Sequence, residues 1–170
     1  VDAVLNQLAA KVQVNNPERK LEYFVASVLQ NIPNVETAEV KGSGFGTDHG
    51  ADVVATINEG IDIAGIFEQR TLVAQVKSYE GEIDDLVAID QILNAVDVYN
   101  ADYGLILSTA EPTKNFLDKV DQASGKKQDS DGAYDDDETS LPGAKISILG
   151  GKEFMKFILK HGSSQLFDTY

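Results

Sequence analysis

Gly50-Ala51-Asp52-Val53-Val54-Ala55, followed further on by Val73-Ala74-Gln75-Val76-Lys77-Ser78-Tyr79, is the pair of stretches from which the rest of this sequence can be read. Both are rich in β-branched residues and predict strands, Asp52 to Ile57 and Thr71 to Tyr79. Side chains alternate along a strand, so Gln75 and Lys77 share one face while Ala74 and Val76 take the other. A polar pair on one face of an otherwise apolar strand is costly to bury without a partner. If the two strands pair, Asp52 lies beside that pair at one end of the sheet. Asn58 to Arg70 reads as the hairpin connection between them.

The rest of the chain falls into order around this pair. Upstream, Val1, Val4, Leu5, Leu8 and Val12 have helical spacing, predicting an N-terminal helix over 1–15. Asn16 and Pro17 suit the cap and first position of the next helix, whose apolar stripe is Leu21, Phe24, Val25, Val28 and Leu29. Asn31 to Asn34 breaks it, and Val35 to Val40 predicts a short strand leading into the loop Lys41-Gly42-Ser43-Gly44-Phe45-Gly46. Downstream, residues 84–99 predict a helix with Leu86, Ile89, Leu93 and Val96 turned inward. Tyr103 to Thr109 is a nearly continuous apolar strand of the kind buried on both faces. Pro112 is expected to start a helix carrying Phe116, Leu117 and Val120; Lys145 to Leu149 predicts a last strand, and Gly151 to Lys160 a last helix with Phe154, Phe157 and Ile158 packed inward. The order predicts a mixed β-sheet flanked by helices, an α/β fold.

The 170 residues suit one domain, 1–170, with a single core. No apolar run reaches the roughly 18 residues of a membrane span, which excludes a helical transmembrane protein. With no cysteine, disulfides, thiolate zinc sites and a catalytic thiol are excluded. No charged-then-apolar leader opens the chain and the first residue is Val1, so the expectation is a cytoplasmic domain excised from a longer protein. The net charge is −14, of which residues 1–121 carry −12, so the body itself is acidic. That argues against binding nucleic acid through a broad basic face and is compatible with collecting divalent cations. Residues 124–140, rich in Asp, Ser, Gly and Lys, read as a mobile acidic surface insertion.

An acid, an amide oxygen and a lysine converging at one sheet end have a chemical use. A carboxylate and neutral oxygens bind Mg²⁺, which makes water more acidic, and a lysine offsets charge developing on a phosphate. Spacing alone leaves the plainer alternative open, with Asp52 ending a strand and Lys77 reaching to the surface. His49 is close enough in sequence to approach a substrate phosphate, although a lone loop histidine is more often incidental. The Gly42–Gly46 loop lacks the helix that a nucleotide-binding fingerprint needs. Asp84, Asp85 and Asp90 fit the charged start of a helix, while Asp62 and Glu68 fit an exposed connection.

The residues form an ordered series. It runs from Leu21-Glu22-Tyr23-Phe24 through the turn Gly46-Thr47-Asp48-His49-Gly50, Ala51-Asp52-Val53-Val54-Ala55 and Gln75-Val76-Lys77. A helix bearing Gln91 and the strand Tyr103-Gly104-Leu105-Ile106-Leu107-Ser108-Thr109 complete it. In this order the chain, over roughly residues 17–160, resembles the Mrr-like branch of the PD-(D/E)xK restriction-endonuclease superfamily, in which the middle acid is often Gln. The resemblance implies a restriction-endonuclease-like core and a Mg²⁺-dependent endonuclease acting on DNA, with Mn²⁺ as a substitute. It makes Asp52, Gln75 and Lys77 catalytic. Asp52, Gln75, the Val76 backbone carbonyl and Glu22 become metal ligands and Gln91 a substrate contact, beside the contact that sequence position alone suggests for His49. Basic residues for phosphate are scarce, so DNA contact is expected through a separate recognition module, and cleavage of both strands through a homodimer. The rival expectation is a non-catalytic module of the same fold that binds protein or nucleic acid.

Overall fold

The computed structural model describes residues 20–41, 49–60, 66–79, 81–124 and 144–162. Helix α1 (Lys20–Gln30) leads to β1 (Val35–Val40), β2 (Val53–Gly60) and β3 (Phe67–Lys77). A two-residue strand β4 (Glu82–Ile83), helix α2 (Val87–Tyr99), β5 (Tyr103–Ser108), a second short strand β6 (Glu111–Pro112), helix α3 (Lys114–Ala123), β7 (Lys145–Gly150) and helix α4 (Gly151–His161) follow. The expected 1–15 helix, the Asn16–Pro17 cap, the Gly42–Gly46 loop, Asp62 and the 124–140 insertion beyond Ser124 lie outside the described residues.

The main sheet has the order β1-β2-β3-β5-β7. β1, β2 and β3 form an antiparallel meander, whereas β5 and β7 join it in parallel. Parallel neighbours need crossovers, and here α2 and α3 supply them on one face. The alternation of each strand feeds two cores. Val73, Ile106 and Ile146 pack with Ile89, Ile92, Val96, Phe116 and Val120 of α2 and α3. Val53, Ala74 and Leu107 face the other way, onto Phe24, Val25 and Val28 of α1 and Phe154 and Ile158 of α4. β5, with strands on both sides and helices on both faces, is as buried as its composition predicts.

The mixed sheet flanked by helices is therefore as expected, and four details differ. The hairpin ladder runs from Val53↔Ala74 to Gly60↔Phe67, so most of the expected connection from Asn58 to Arg70 is strand. α3 begins at Lys114, because the Thr113 hydroxyl accepts the Phe116 N–H at 3.2 Å and caps it. Pro112 instead pairs with Ile83 in a small parallel sheet of β4 and β6. α2 likewise starts at Val87, where the Asp85 carboxylate accepts the Val87 N–H. Leu86, which precedes α2, and Leu117, one residue round from the buried Phe116 and Val120, are exposed, while Ala88, Ile92 and Ala95 join Ile89 and Val96 in the core.

α1 is tied to the meander by a side chain at its end. Gln30 donates to the Glu36 carbonyl and accepts the Ala38 N–H, both at 2.9 Å, supplying partners where the ladder shifts register between Val35 and Thr37. At the same level of the sheet, Asp102 accepts the Thr71 N–H and pairs with Arg70 at 2.9 Å.

Packing sets unequal costs for two apolar truncations. Phe24→Ala, at a fully buried ring, is expected to lower stability by about 3–5 kcal/mol in urea unfolding. Leu117→Ala, at an exposed site, is expected to stay within about 0.5 kcal/mol of the parent. Comparable losses for both would contradict the observed α3 register.

Candidate metal and nuclease site

β3 outruns β2. Its antiparallel ladder with β2 stops at Val53↔Ala74, while its parallel ladder with β5 continues to Lys77↔Ser108. Beyond Ala74, the edge of β3 that faced β2 has no strand to bond with. Asp52, the residue just before β2, fills the gap: its N–H donates to the Ala74 carbonyl at 2.9 Å, and its carboxylate accepts the Val76 N–H at 2.7 Å. The two bonds straddle Gln75. The carboxylate is thereby fixed at the point where the strands part, at the C-terminal ends of the parallel strands, the usual place for a site in an open α/β sheet.

Gln75 and Lys77 project from β3 on the same face as Val73, toward α2. Helix α2 brings Gln91 over them. The Gln91 Oε1 accepts from Gln75 Nε2 at 2.6 Å and from Lys77 Nζ at 2.9 Å. Gln75 is only 3% exposed, and its Oε1 is buried with no hydrogen-bond partner among the described residues. A buried amide oxygen left unsatisfied costs about 1–3 kcal/mol, so the atom calls for a hydrogen-bond donor or a cation.

The turn entering β2 is seated on the same helix. His49 and Gly50 both have positive φ, 49° and 88°. Asn94, one turn beyond Gln91, donates to the His49 carbonyl at 2.8 Å, and a Cβ at Gly50 would collide with the Gln91 backbone carbonyl. Only glycine permits that approach, and it sets the direction from which Asp52 enters the sheet. Two residues past Lys77, Tyr79 donates to Asp85 at 2.8 Å; burial first, and that bond second, hold its phenol above its ordinary pKa.

Of the residues singled out in the sequence, the structure thus gathers Asp52, Gln75, Val76, Lys77 and Gln91. Glu22 is half-buried on the first turn of α1, and no contact among the described residues joins it to that group. His49 reaches the site through its backbone carbonyl, while its side chain is exposed. Gln91 spends its carbonyl oxygen on Gln75 and Lys77. Asn94 was missed. Its i, i+3 spacing from Gln91 was the available signal, but the spacing does not say what the pair would hold.

The donor set is a carboxylate, an amide oxygen and a strand carbonyl. All are hard oxygens suited to Mg²⁺-like ions, and the orphaned Gln75 Oε1 fits such a group. The described residues hold no cluster of three or more His, Cys, Asp or Glu side chains, so any metal here rests on neutral oxygens as well as on Asp52. Two grooves among the described residues lie away from the site, one at the opposite end of the sheet beside Leu72, Tyr103 and Lys145, the other along α1 at Tyr23 and Gln30.

Comparison with known proteins gives one family and two solved structures. The family model described as "Restriction endonuclease" (Mrr_cat) matches residues 15–127. The fold is similar to that of the DNA modification-dependent restriction endonuclease AspBHI, with a TM-score of 0.61 at 12% identity, covering 99% of this chain and 38% of that one. It is also similar to the MspJI restriction endonuclease, solved in complex with a 27-mer oligonucleotide, with a TM-score of 0.60 at 11% identity, covering 99% of this chain and 34% of that one. This chain therefore spans little more than a third of either structure. No curated protein matches it.

Two glycines isolate the close approach at the turn. Gly50 and Gly81 have nearly the same φ, 88° and 85°, but a Cβ at Gly81 would meet nothing within 4 Å. Gly81→Ala is expected to cost about 1–2 kcal/mol in urea unfolding from backbone strain alone. Gly50→Ala is expected to cost clearly more, and equal costs would show that the contact with α2 does not constrain the turn.

Proposed function

The chain belongs to the restriction endonuclease family that this model describes, and on that premise we propose that it is the catalytic domain of a Mg²⁺-dependent endonuclease that hydrolyses DNA phosphodiester bonds. The family generally uses divalent metal ions. In this chain Asp52, Gln75 Oε1 and the Val76 carbonyl hold the ion, with Mn²⁺ as a working substitute. The observation that carries this reading is the buried, unpartnered Gln75 Oε1 on the residue next to Val76, whose N–H pins the Asp52 carboxylate to β3.

When bound, such an ion polarises the scissile phosphate and makes water more acidic. The other work belongs to side chains. Asp52, held by the Val76 N–H, keeps its carboxylate in one place at the open strand edge. Lys77 projects its ammonium from the same face as Gln75, where it offsets the negative charge that grows on a phosphate under attack. Glu22 on α1 is proposed as an outer ligand to the ion through water, and the exposed His49 as a contact for the DNA backbone. Gln91 acts within the site through the bonds its oxygen accepts from Gln75 and Lys77, and its NH₂ group is proposed as the substrate contact.

DNA recognition is assigned to a separate module of a longer protein. The net charge of −14 supports that division, because neutralising phosphates takes basic side chains that this chain has in short supply. So does the span of the chain, about a third of two similar restriction endonucleases. Residues 1–170 then form one catalytic domain, working in the cytoplasm as a homodimer so that two sites cut two strands. Among the described residues, no helix is long and apolar enough to cross a membrane.

On supercoiled plasmid with Mg²⁺ or Mn²⁺, the wild type is expected to nick or linearise DNA. Lys77→Ala and Asp52→Ala are expected to lose at least about 10²-fold in rate. Lys77→Ala should melt like the parent, whereas Asp52→Ala, which strips the Val76 N–H of its acceptor, is expected to lose about 1–3 kcal/mol of stability and still fold. Retention of the wild-type rate in Lys77→Ala would sink the assignment. Gln75→Glu adds an anionic ligand and is expected to tighten or preserve metal binding. A clear weakening, read by titration calorimetry, would remove Gln75 from the ligand set.

A further inference from the structure

The amide of Gln75 has two unlike ends, and the structure commits one of them. Nε2 donates to Gln91 Oε1, which also receives Lys77 Nζ. An amide oxygen has two lone pairs and no proton to give, so one atom of Gln91 accepts both donors. Lys77 has only donors to offer, so Gln91 must present its oxygen to Lys77 and not its NH₂ group. With that oxygen fixed, Gln75 must present its NH₂ group to it. Its own oxygen is then turned away from Gln91, and this is the buried atom left without a partner.

The reverse orientation is costly twice over. It would set Gln75 Oε1 against Gln91 Oε1, two acceptors with no hydrogen between them, and it would point an NH₂ group where the ligand oxygen now stands. Nor can Gln91 easily draw back. Its backbone carbonyl lies against Gly50, and Asn94 on the same helix is bonded to the His49 carbonyl. The geometry points to Gln91 as a positioning residue: held oxygen-first by Lys77, it locks the amide of Gln75 with Oε1 toward the divalent ion. This inference rests on the proposed role of Gln75 as a ligand. It adds an order of dependence, in which the lysine orients one glutamine and that glutamine orients the other.

A carboxylate at the same position would need no such lock, since its two oxygens are equivalent. That difference gives the test. Mn²⁺ is titrated into the full chain, free ion being followed by its paramagnetic resonance signal, with thermal melts to verify folding. Gln91→Met keeps the length of the side chain and removes the acceptor; Gln91→Leu serves as a second variant if the first fails to fold. Loss of Gln91 is expected to weaken Mn²⁺ binding about tenfold or more when Gln75 is present, the usual cost of removing a residue that orients a ligand. In the Gln75→Glu background the same change is expected to alter binding by less than about twofold, a coupling that a merely structural role would not produce. Equal losses in both backgrounds, or no loss in either, would overturn the lock while leaving the metal site standing. Unchanged Mn²⁺ affinity in both Asp52→Ala and Gln75→Ala would remove the metal site itself, and the lock with it.

Discussion

A strand that ends later than its neighbour leaves backbone groups with nothing to bond, and in this protein the main functional features follow from that mismatch. β3 is antiparallel to β2 on one edge and parallel to β5 on the other, but only the second pairing reaches Lys77. The Val76 N–H would be orphaned where β2 has not yet begun. Burying a peptide group unsatisfied costs free energy comparable to a lost hydrogen bond, so the position demands an acceptor. The Asp52 carboxylate is that acceptor. The acid is therefore a structural necessity of the strand mismatch before it is anything else. The same mismatch opens the space into which Gln75 and Lys77 project.

The site that results is sparing with charge. The chain carries 28 acidic and 14 basic side chains, yet the described residues nowhere gather three potential acidic or imidazole ligands. Asp52 provides one negative charge, and the next side-chain oxygen in line is a neutral amide. On a body that already repels polyanions, each further carboxylate at the site would add to the repulsion of an incoming phosphate. Glutamine supplies the oxygen without the charge. The cost of that choice is orientational, because an amide has a wrong way round. α2, with Gln91 above the strands and Asn94 above the turn, is the element that deals with it.

What could be read from the sequence follows from how local each signal is. Val35–Val40, and the apolar run of β5, announce themselves by composition. The shared face of Gln75 and Lys77 needs only the two-residue period of a strand. Helix starts were less legible, because they depend on which side chain reaches back to cap. Thr113 and Asp85 decide them through bonds to the Phe116 and Val87 N–H groups. The β4–β6 pairing is two residues long on each side, too short to leave a period. At the site, Asp52 and Lys77 stood out as types of residue at a strand end, whereas Asn94 did not. Its function is a bond to a carbonyl forty-five residues away in sequence, and nothing in the local pattern carries that information.

The hairpin register has a bearing on which lengths of chain can survive. The period of a strand is two, so gain or loss of one residue within the β2–β3 ladder turns every side chain beyond it to the opposite face. Such a slip would carry Gln75 and Lys77 out from under α2 and drive them between Phe24 and Phe154, where an ammonium has no partner. It would also bring Ala74 or Val76 round to where the Gln75 amide now lies. The coding sequence across Val53–Gly60 and Phe67–Lys77 should consequently accept many substitutions and almost no single-codon insertions or deletions. Geometry thus ties the acid to the lysine across the folded ladder more tightly than it ties the identity of the residues between them.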